Sequence, residues 1–517
     1  MGKRLEKICD LAVKLFSGSF LVILCLWSVT NGYNYPVDYS AEYLLGNSES
    51  LGKYLLMAVT LLLVAGIPVR GLLHGTGEKE QKKIVTILAI VLLSINAVAL
   101  LIWIPVAQIE PDRDAAQVLY TTQDFLHGNY QPMKYTYLRG YQHQCGLILL
   151  EEMIMSLVED YRIFQYINVI FVIGTQWLLY RICHELFQNY KVDIYCLVGS
   201  VAFVPMQLYV NLVYGDVCSL FLALLTFLLL IQWRKSGKWP YVAASVVSMI
   251  LATMVRKNTL IFLIALAIAL LIEAIREKNW RPVGVAVILA VCTILITNSI
   301  PRLYEKRSGI EMGDAMPALL WVSMGLQAEW GAYGVYNSYN ESVFWQEEGN
   351  AQRASARAAE DIKGRLAEFA SNKAIAYDFY KNKICMQWGE GTLGSLIMTS
   401  NSLNLESPVV YSTYYGKGSD RIRKFTAFYN FCIYLGALFY VVLTARRTDP
   451  FLRDVLLLFF VGGFLFSILW ETKSRYVMPY IVCLIPYMAA GTWELQELAQ
   501  KMYEKIRLQL RAKYGNM

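Results

Sequence analysis

The chain has 517 residues, of which 56% are hydrophobic and 17% charged; a soluble protein of this size carries about 25% charged residues. The net charge of +7 would suit a nucleic-acid partner, but the basic residues fall in short loops between apolar runs. Membrane topology explains that placement, and a nucleic-acid partner is excluded.

Apolar runs near twenty residues recur along almost the whole length, the signature of membrane-spanning helices. In chain order they predict about twelve spans: Leu15–Thr30, Tyr54–Val69, Ile84–Val106, Tyr161–Tyr180, Ile194–Val210 and Val217–Trp233, then Tyr241–Met254, Thr259–Ile275, Val283–Ile300, Phe425–Leu443, Val455–Trp470 and Tyr476–Gly491. The predicted fold class is all-α and integral to the membrane, with interfacial helices and a mixed outer loop domain. The basic N-terminus MGKRLEKICDLAVK and its apolar run resemble a signal peptide, but no small-residue cleavage site follows, so they read as an uncleaved first span.

Lys and Arg test this arrangement. With the N-terminus cytoplasmic, 24 of the 47 fall in cytoplasmic segments. Another 14 lie in one long outer loop, which the rule exempts, leaving 9 in short outer segments. Both termini are therefore expected in the cytoplasm. The division is an N-terminal hairpin and loop (1–83), a core of spans (84–300) with a first outer loop (107–160), an outer loop domain (301–424), final spans (425–491) and a basic tail (492–517) expected to lie on anionic lipid. A loop as long as 301–424 is rarely structureless. Within it AQRASARAAEDIKGRLAEFA puts Ile362, Leu366 and Phe369 on one face of an amphipathic helix. The apolar run Cys145–Val158 is too short to cross and carries Glu151 and Glu152, so it reads as a helix at the outer interface.

The ten cysteines are scattered, without CxxC or a Cys/His cluster, and read as small buried residues; Cys145 and Cys385 fall on the outer side and could pair. His74, His127, His143 and His184 make no metal site, and no phosphate-binding glycine loop, dinucleotide fingerprint or HExxH is present. No cofactor is predicted; a requirement for a divalent metal is left open. The sequon at Asn340-Glu-Ser would matter only in a eukaryotic secretory compartment.

Chemistry is expected on the outer side. Glu110, Asp112 and Asp114 cluster just after the third span. A plain acidic turn would look the same; a carboxylate held at the interface could also take a proton from an acceptor hydroxyl. The segment PMKYTYLRGYQHQCG supplies Tyr137, Arg139, Tyr141 and Gln144, either as interface anchors or as a lining for sugar and phosphate. Arg256 and Lys257 sit in the tight turn MVRKNTL, and Glu471, Lys473, Arg475 and Tyr476 in WETKSRYVMPY. Basic residues on that face touch lipid headgroups or hold a phosphate leaving group, for which the planar arginine fork is suited.

Together PDRDAAQV, YLRGYQHQCG, LVYGDVCSLFL, MVRKNT, KNKICMQWGEGT and ETKSRYVMPY, in this order over roughly Ile84–Gly491, resemble the GT-C glycosyltransferases. The resemblance is to the protein-mannosyltransferase and aminoarabinose-transferase-like superfamily, in its Gram-positive form. It implies a bacterial plasma-membrane enzyme that moves a sugar from a polyprenyl-phosphate donor to an extracytoplasmic glycan, teichoic acid, lipid or protein. It also implies a catalytic Asp in the first outer loop, Asp114 first and Asp112 second. Donor phosphate would be bound by Arg256, Lys257, Arg475, Lys473 and Arg139, and substrate by Tyr137, Tyr141, Gln144, Glu471, Tyr476 and Trp388. The family's first outer loop normally follows the first span; here it follows the third, so Leu15–Val69 would be an added hairpin. A transporter or lipid flippase, a polysaccharide polymerase or ligase, and a membrane scaffold are the other readings.

Overall fold

In hydrocarbon every backbone polar group must be satisfied within the protein, which leaves helices as the way for these runs to cross. In the computed structural model each of the twelve runs coincides with a helix or helix pair. The structure describes residues 2–34, 45–135, 137–329, 331–445, 447 and 451–514. Residues 446 and 448–450 of one predicted cytoplasmic loop and 515–517 of the tail lie outside them.

The chain opens with α1 (Gly2–Thr30), a short hairpin of β1 (Gly32–Asn34) and β2 (Leu45–Asn47), α2 (Leu51–Val64), α3 (Gly66–Leu72) and α4 (Glu78–Ala107). The segment 107–160 holds α5 (Arg113–Leu126), α6 (Pro132–Tyr135), α7 (Tyr137–Gly140) and α8 (Cys145–Met155). The middle of the bundle follows: α9 (Arg162–Phe187), α10 (Tyr190–Val201), α11 (Val204–Leu208), α12 (Asp216–Ser236), α13 (Trp239–Val255), α14 (Leu260–Glu277) and α15 (Arg281–Ser308). The segment 301–424 contains α16 (Ala318–Gly325), α17 (Tyr339–Gln346), α18 (Ala351–Ser371), α19 (Lys373–Trp388), α20 (Ser395–Met398) and α21 (Pro408–Tyr414). The chain closes with α22 (Lys417–Leu443), α23 (Val455–Leu469) and α24 (Met478–Tyr514).

Among the described residues ten helices are long and apolar enough to cross a membrane, or eleven if the bent pair α10–α11 is one span. The twelfth predicted run lies in α13, a shorter apolar helix of 17 residues. The 49° bend between α10 and α11 follows from Pro205 at the start of α11. Amides from neighbouring helices meet the carbonyls freed there: Gln176 Nε2 donates to Ser200 O (3.4 Å) and Gln207 Nε2 to Val201 O (3.0 Å). Asn96 Nδ2 donates to both glutamine oxygens and fixes the pair.

Within the N-terminal hairpin, α1 packs against α14, α22 and α23. Segments predicted to share the cytoplasmic face meet at one end of the bundle. There Arg276 pairs with Glu6 (2.7 Å), Lys14 Nζ donates to Arg447 O (3.1 Å), and Arg70 pairs with Glu497 (3.3 Å). The segments predicted to lie outside gather at the opposite end.

Two adjacent carboxylates argued against a span at Cys145–Val158, and α8 shows how they are housed. Glu151 is buried and accepts from the Thr122 hydroxyl (3.1 Å); burial pushes its carboxyl up to about 8. Glu152 pairs with Arg307 (2.6 Å) and accepts from Tyr304 (2.8 Å). In α18 the predicted apolar face is only partly covered: Phe369 and Ile362 join Leu326 and Phe379, but Leu366 is 47% exposed.

The 301–424 segment does not stay outside the bundle. Residues 383–397 are continuously buried, and the end of α19 packs on α23. Non-helical backbone at such depth is tolerated where protein surrounds it. Glu390 satisfies it, accepting from Thr392 N (2.9 Å), Thr392 Oγ1 (2.6 Å), Gly394 N (2.6 Å) and Ser474 Oγ (3.1 Å). Cys145 and Cys385, which could have paired, are both buried and free.

Candidate active site

Asp112 caps α5, its carboxylate accepting from Arg113 N at 2.7 Å. Arg113 has the left-handed φ of +51°, which a non-glycine residue rarely adopts. That turn aims Asp114, in the first turn of α5, into a cavity of about 410 Å³. Tyr137, Tyr141 and Gln144 form one wall; Arg256, Glu471, Lys473 and Tyr476 form another. The first outer loop, the α13–α14 turn and the α23–α24 turn therefore converge, as the sequence suggested.

Tyr214 is the centre of the arrangement. Its hydroxyl lies 3.0 Å from that of Tyr137, accepts from Gln144 Nε2 at 2.6 Å and approaches Asp114 Oδ2 at 3.5 Å. Arg256 and Arg475 lie over its ring, 4.2 and 4.9 Å from the centroid. Burial and the Asp114 charge push its phenol up to about 12, so it stays a neutral hydroxyl.

Both guanidiniums meet Asp216. Arg256 Nη2 is 2.5 Å from Asp216 Oδ2, while Arg475 Nε stands 3.9 Å from Oδ1. Arg475 is 4% exposed, and among the described residues its Nε has no hydrogen-bond acceptor. A buried charge held so loosely retains capacity for an incoming anion. Asp216 sits at the α12 N-terminus, where the helix dipole favours a carboxylate. Gly215 precedes it at φ +78°, and a Cβ there would lie 2.2 Å from Val255.

Lys473 pairs with Glu471 (3.3 Å), which also accepts from Tyr476 (3.1 Å). From the polar cavity a narrower groove leads along Leu220, Ala223, Phe459 and Tyr480 between α12, α23 and α24, with Arg256, Arg475 and Tyr476 at the junction. In the wall of the polar cavity Tyr137 and Tyr141 stack at 4.3 Å, with Trp321 edge-on to Tyr141.

Three predicted site residues are placed elsewhere. Trp388 is 1% exposed in the core, its indole donating to Ser467 (3.0 Å) among Phe460, Phe464 and Tyr480. Arg139 donates to Asp314 O (2.6 Å) and lies over Phe344 and Trp345 outside the cavity. Lys257 follows Arg256 in the turn but is not part of the wall. Conversely, Tyr214, Asp216 and Glu341 were not singled out as site residues. Tyr214 and Asp216 lie in LVYGDVCSLFL, which carries part of the resemblance, but neither was given a role there. Glu341 comes from α17 and accepts from Tyr141 (2.7 Å). The neighbouring Asn340 is fully buried, which closes the sequon. Among the described residues no group of three or more His, Cys, Asp or Glu gathers as a metal site.

Over residues 11–494 the sequence matches a family described as conserved hypothetical integral membrane protein. The chain belongs to this family. No curated protein matches it. Among solved structures it is similar to the archaeal oligosaccharyltransferase AglB from Archaeoglobus fulgidus, in complex with an inhibitory peptide and a dolichol-phosphate. The identity is 13% and the TM-score 0.35, over 83% of this chain and 52% of that chain; the chain thus spans about half the length of that structure.

Proposed function

We propose that this protein is a membrane glycosyltransferase that moves a sugar from a polyprenyl-phosphate donor to an extracytoplasmic acceptor. One observation carries the reading: Asp114 shares a polar cavity with Arg256 and borders the loosely held Arg475, and an apolar groove opens beside the same two arginines. The groove would take the prenyl chain, and the two arginines the phosphate. Tyr137, Tyr141 and Trp321 offer flat aromatic faces to a sugar. The acceptor oxygen attacks the anomeric carbon, the bond from that carbon to the phosphate oxygen breaks, and Asp114 takes the acceptor proton. Arg256 and Arg475 stabilise the charge growing on the departing phosphate. On this reading the site end faces away from the cytoplasm and both termini lie in it.

Asp114→Asn in membranes should lower transfer from a radiolabelled polyprenyl-phosphate sugar by about 10²–10⁴-fold. Asp112→Asn, which keeps an oxygen able to cap α5, should cost far less. Full transfer by Asp114→Asn would sink the assignment.

A further inference from the structure

At the end that carries both termini a second cavity, of about 560 Å³, opens between the start of α4 and the end of α9. Its outer part is charged. Lys235 is held there by Glu185, and His184 pairs with Asp193 (2.7 Å). Glu78 is the remaining acid of the wall. Lys82 and Arg181 also line the wall, and among the described residues neither has an ion-pair partner; Arg181 lies over the Trp177 ring at 5.6 Å. The deeper part is apolar, formed by Ala89, Ile90 and Leu93 of α4 against Trp177 of α9. Ile90 and Trp177 remain 61% and 41% exposed, so the cavity is open sideways to lipid. Tyr180 and Tyr190 line it where aromatic side chains mark the membrane boundary.

A soluble anion would leave the apolar depth unfilled, and an uncharged amphiphile would leave two cations unmatched. We propose that this cavity binds an anionic phospholipid of the adjacent leaflet. Its phosphate meets Lys82 and Arg181, and an acyl chain runs along Ile90 and Leu93. The site lies across the membrane from Asp114 and does not depend on the transferase reading.

The test uses the full-length protein in dodecyl maltoside, with lipid retention read by native mass spectrometry. Dioleoylphosphatidylglycerol should be retained on the order of tenfold better than dioleoylphosphatidylcholine. The Lys82→Ala, Arg181→Ala double variant should remove that preference, and Lys82→Arg with Arg181→Lys should keep most of it. Equal retention of the two lipids, or an unchanged preference in the double variant, overturns the proposal. Full displacement by glycerol phosphate would show a site for a soluble anion and overturn it as well. Should the double variant not fold, brominated phosphatidylglycerol should quench wild-type fluorescence more than that of Trp177→Phe; equal quenching overturns the proposal.

Discussion

At the end of the bundle that carries the termini, Arg276 meets Glu6, Arg234 meets Glu273 and Arg447 meets Glu494. At the opposite end Asp216 serves two guanidiniums, and among the described residues the Nε of buried Arg475 lacks an acceptor and Asp114 makes no ion pair. A packed charge without a close partner costs stability, so an unbalanced set persists where a ligand supplies the missing charge. Paired charges mark packing, and unbalanced ones mark a site. Lys82 and Arg181 extend the same logic to the termini end.

The contrast can be broken by exchanging the effects of core and site. Trp388 belongs to the core despite its place in an outer-loop motif. Trp388→Ala should cost about 3–5 kcal/mol of stability, read as thermal denaturation in detergent. Donor affinity of the protein that remains folded should be unchanged; a selective loss of donor binding would return Trp388 to the site. Arg475→Ala should do the reverse, weakening donor binding about tenfold or more and lowering stability little. Unchanged affinity would remove Arg475 from the phosphate site.

The pH dependence of stability involves Lys383, fully buried in α19, whose amino group donates to Trp470 O (2.6 Å) and Gly325 O. Burial lowers its pKa from 10.5 to about 7, partly opposed by Glu471. Between those values the unfolded chain binds the extra proton, so this group makes stability rise with pH from about 7 toward 10. Lys383→Met should flatten that rise. An identical pH slope in the variant would show that Lys383 stays charged in the fold.

The helices were legible in the sequence because hydrocarbon permits few alternatives to a long apolar run. Thus Ile84–Val106 and Val455–Trp470 reappear nearly unchanged as α4 and α23. The convergence of Asp114, Gln144, Arg256 and Arg475 was legible too, since charge on one face of a predicted topology stands out. Three things were not. Asp216 stands in the motif LVYGDVCSLFL, but its role shows only when two arginines from distant turns reach it. Trp388 looked external because the dip of residues 383–397 into the bundle carries no periodic signal. Arg139 is basic like its neighbours, yet its guanidinium turns to the Asp314 carbonyl.

Purified protein should be titrated with a polyprenyl-phosphate sugar and binding read directly, for wild type and for Arg256→Ala with Arg475→Ala. The account predicts saturable binding that the double substitution abolishes and Asp114→Asn preserves. No binding by wild type, or equal binding by the arginine variant, would contradict it.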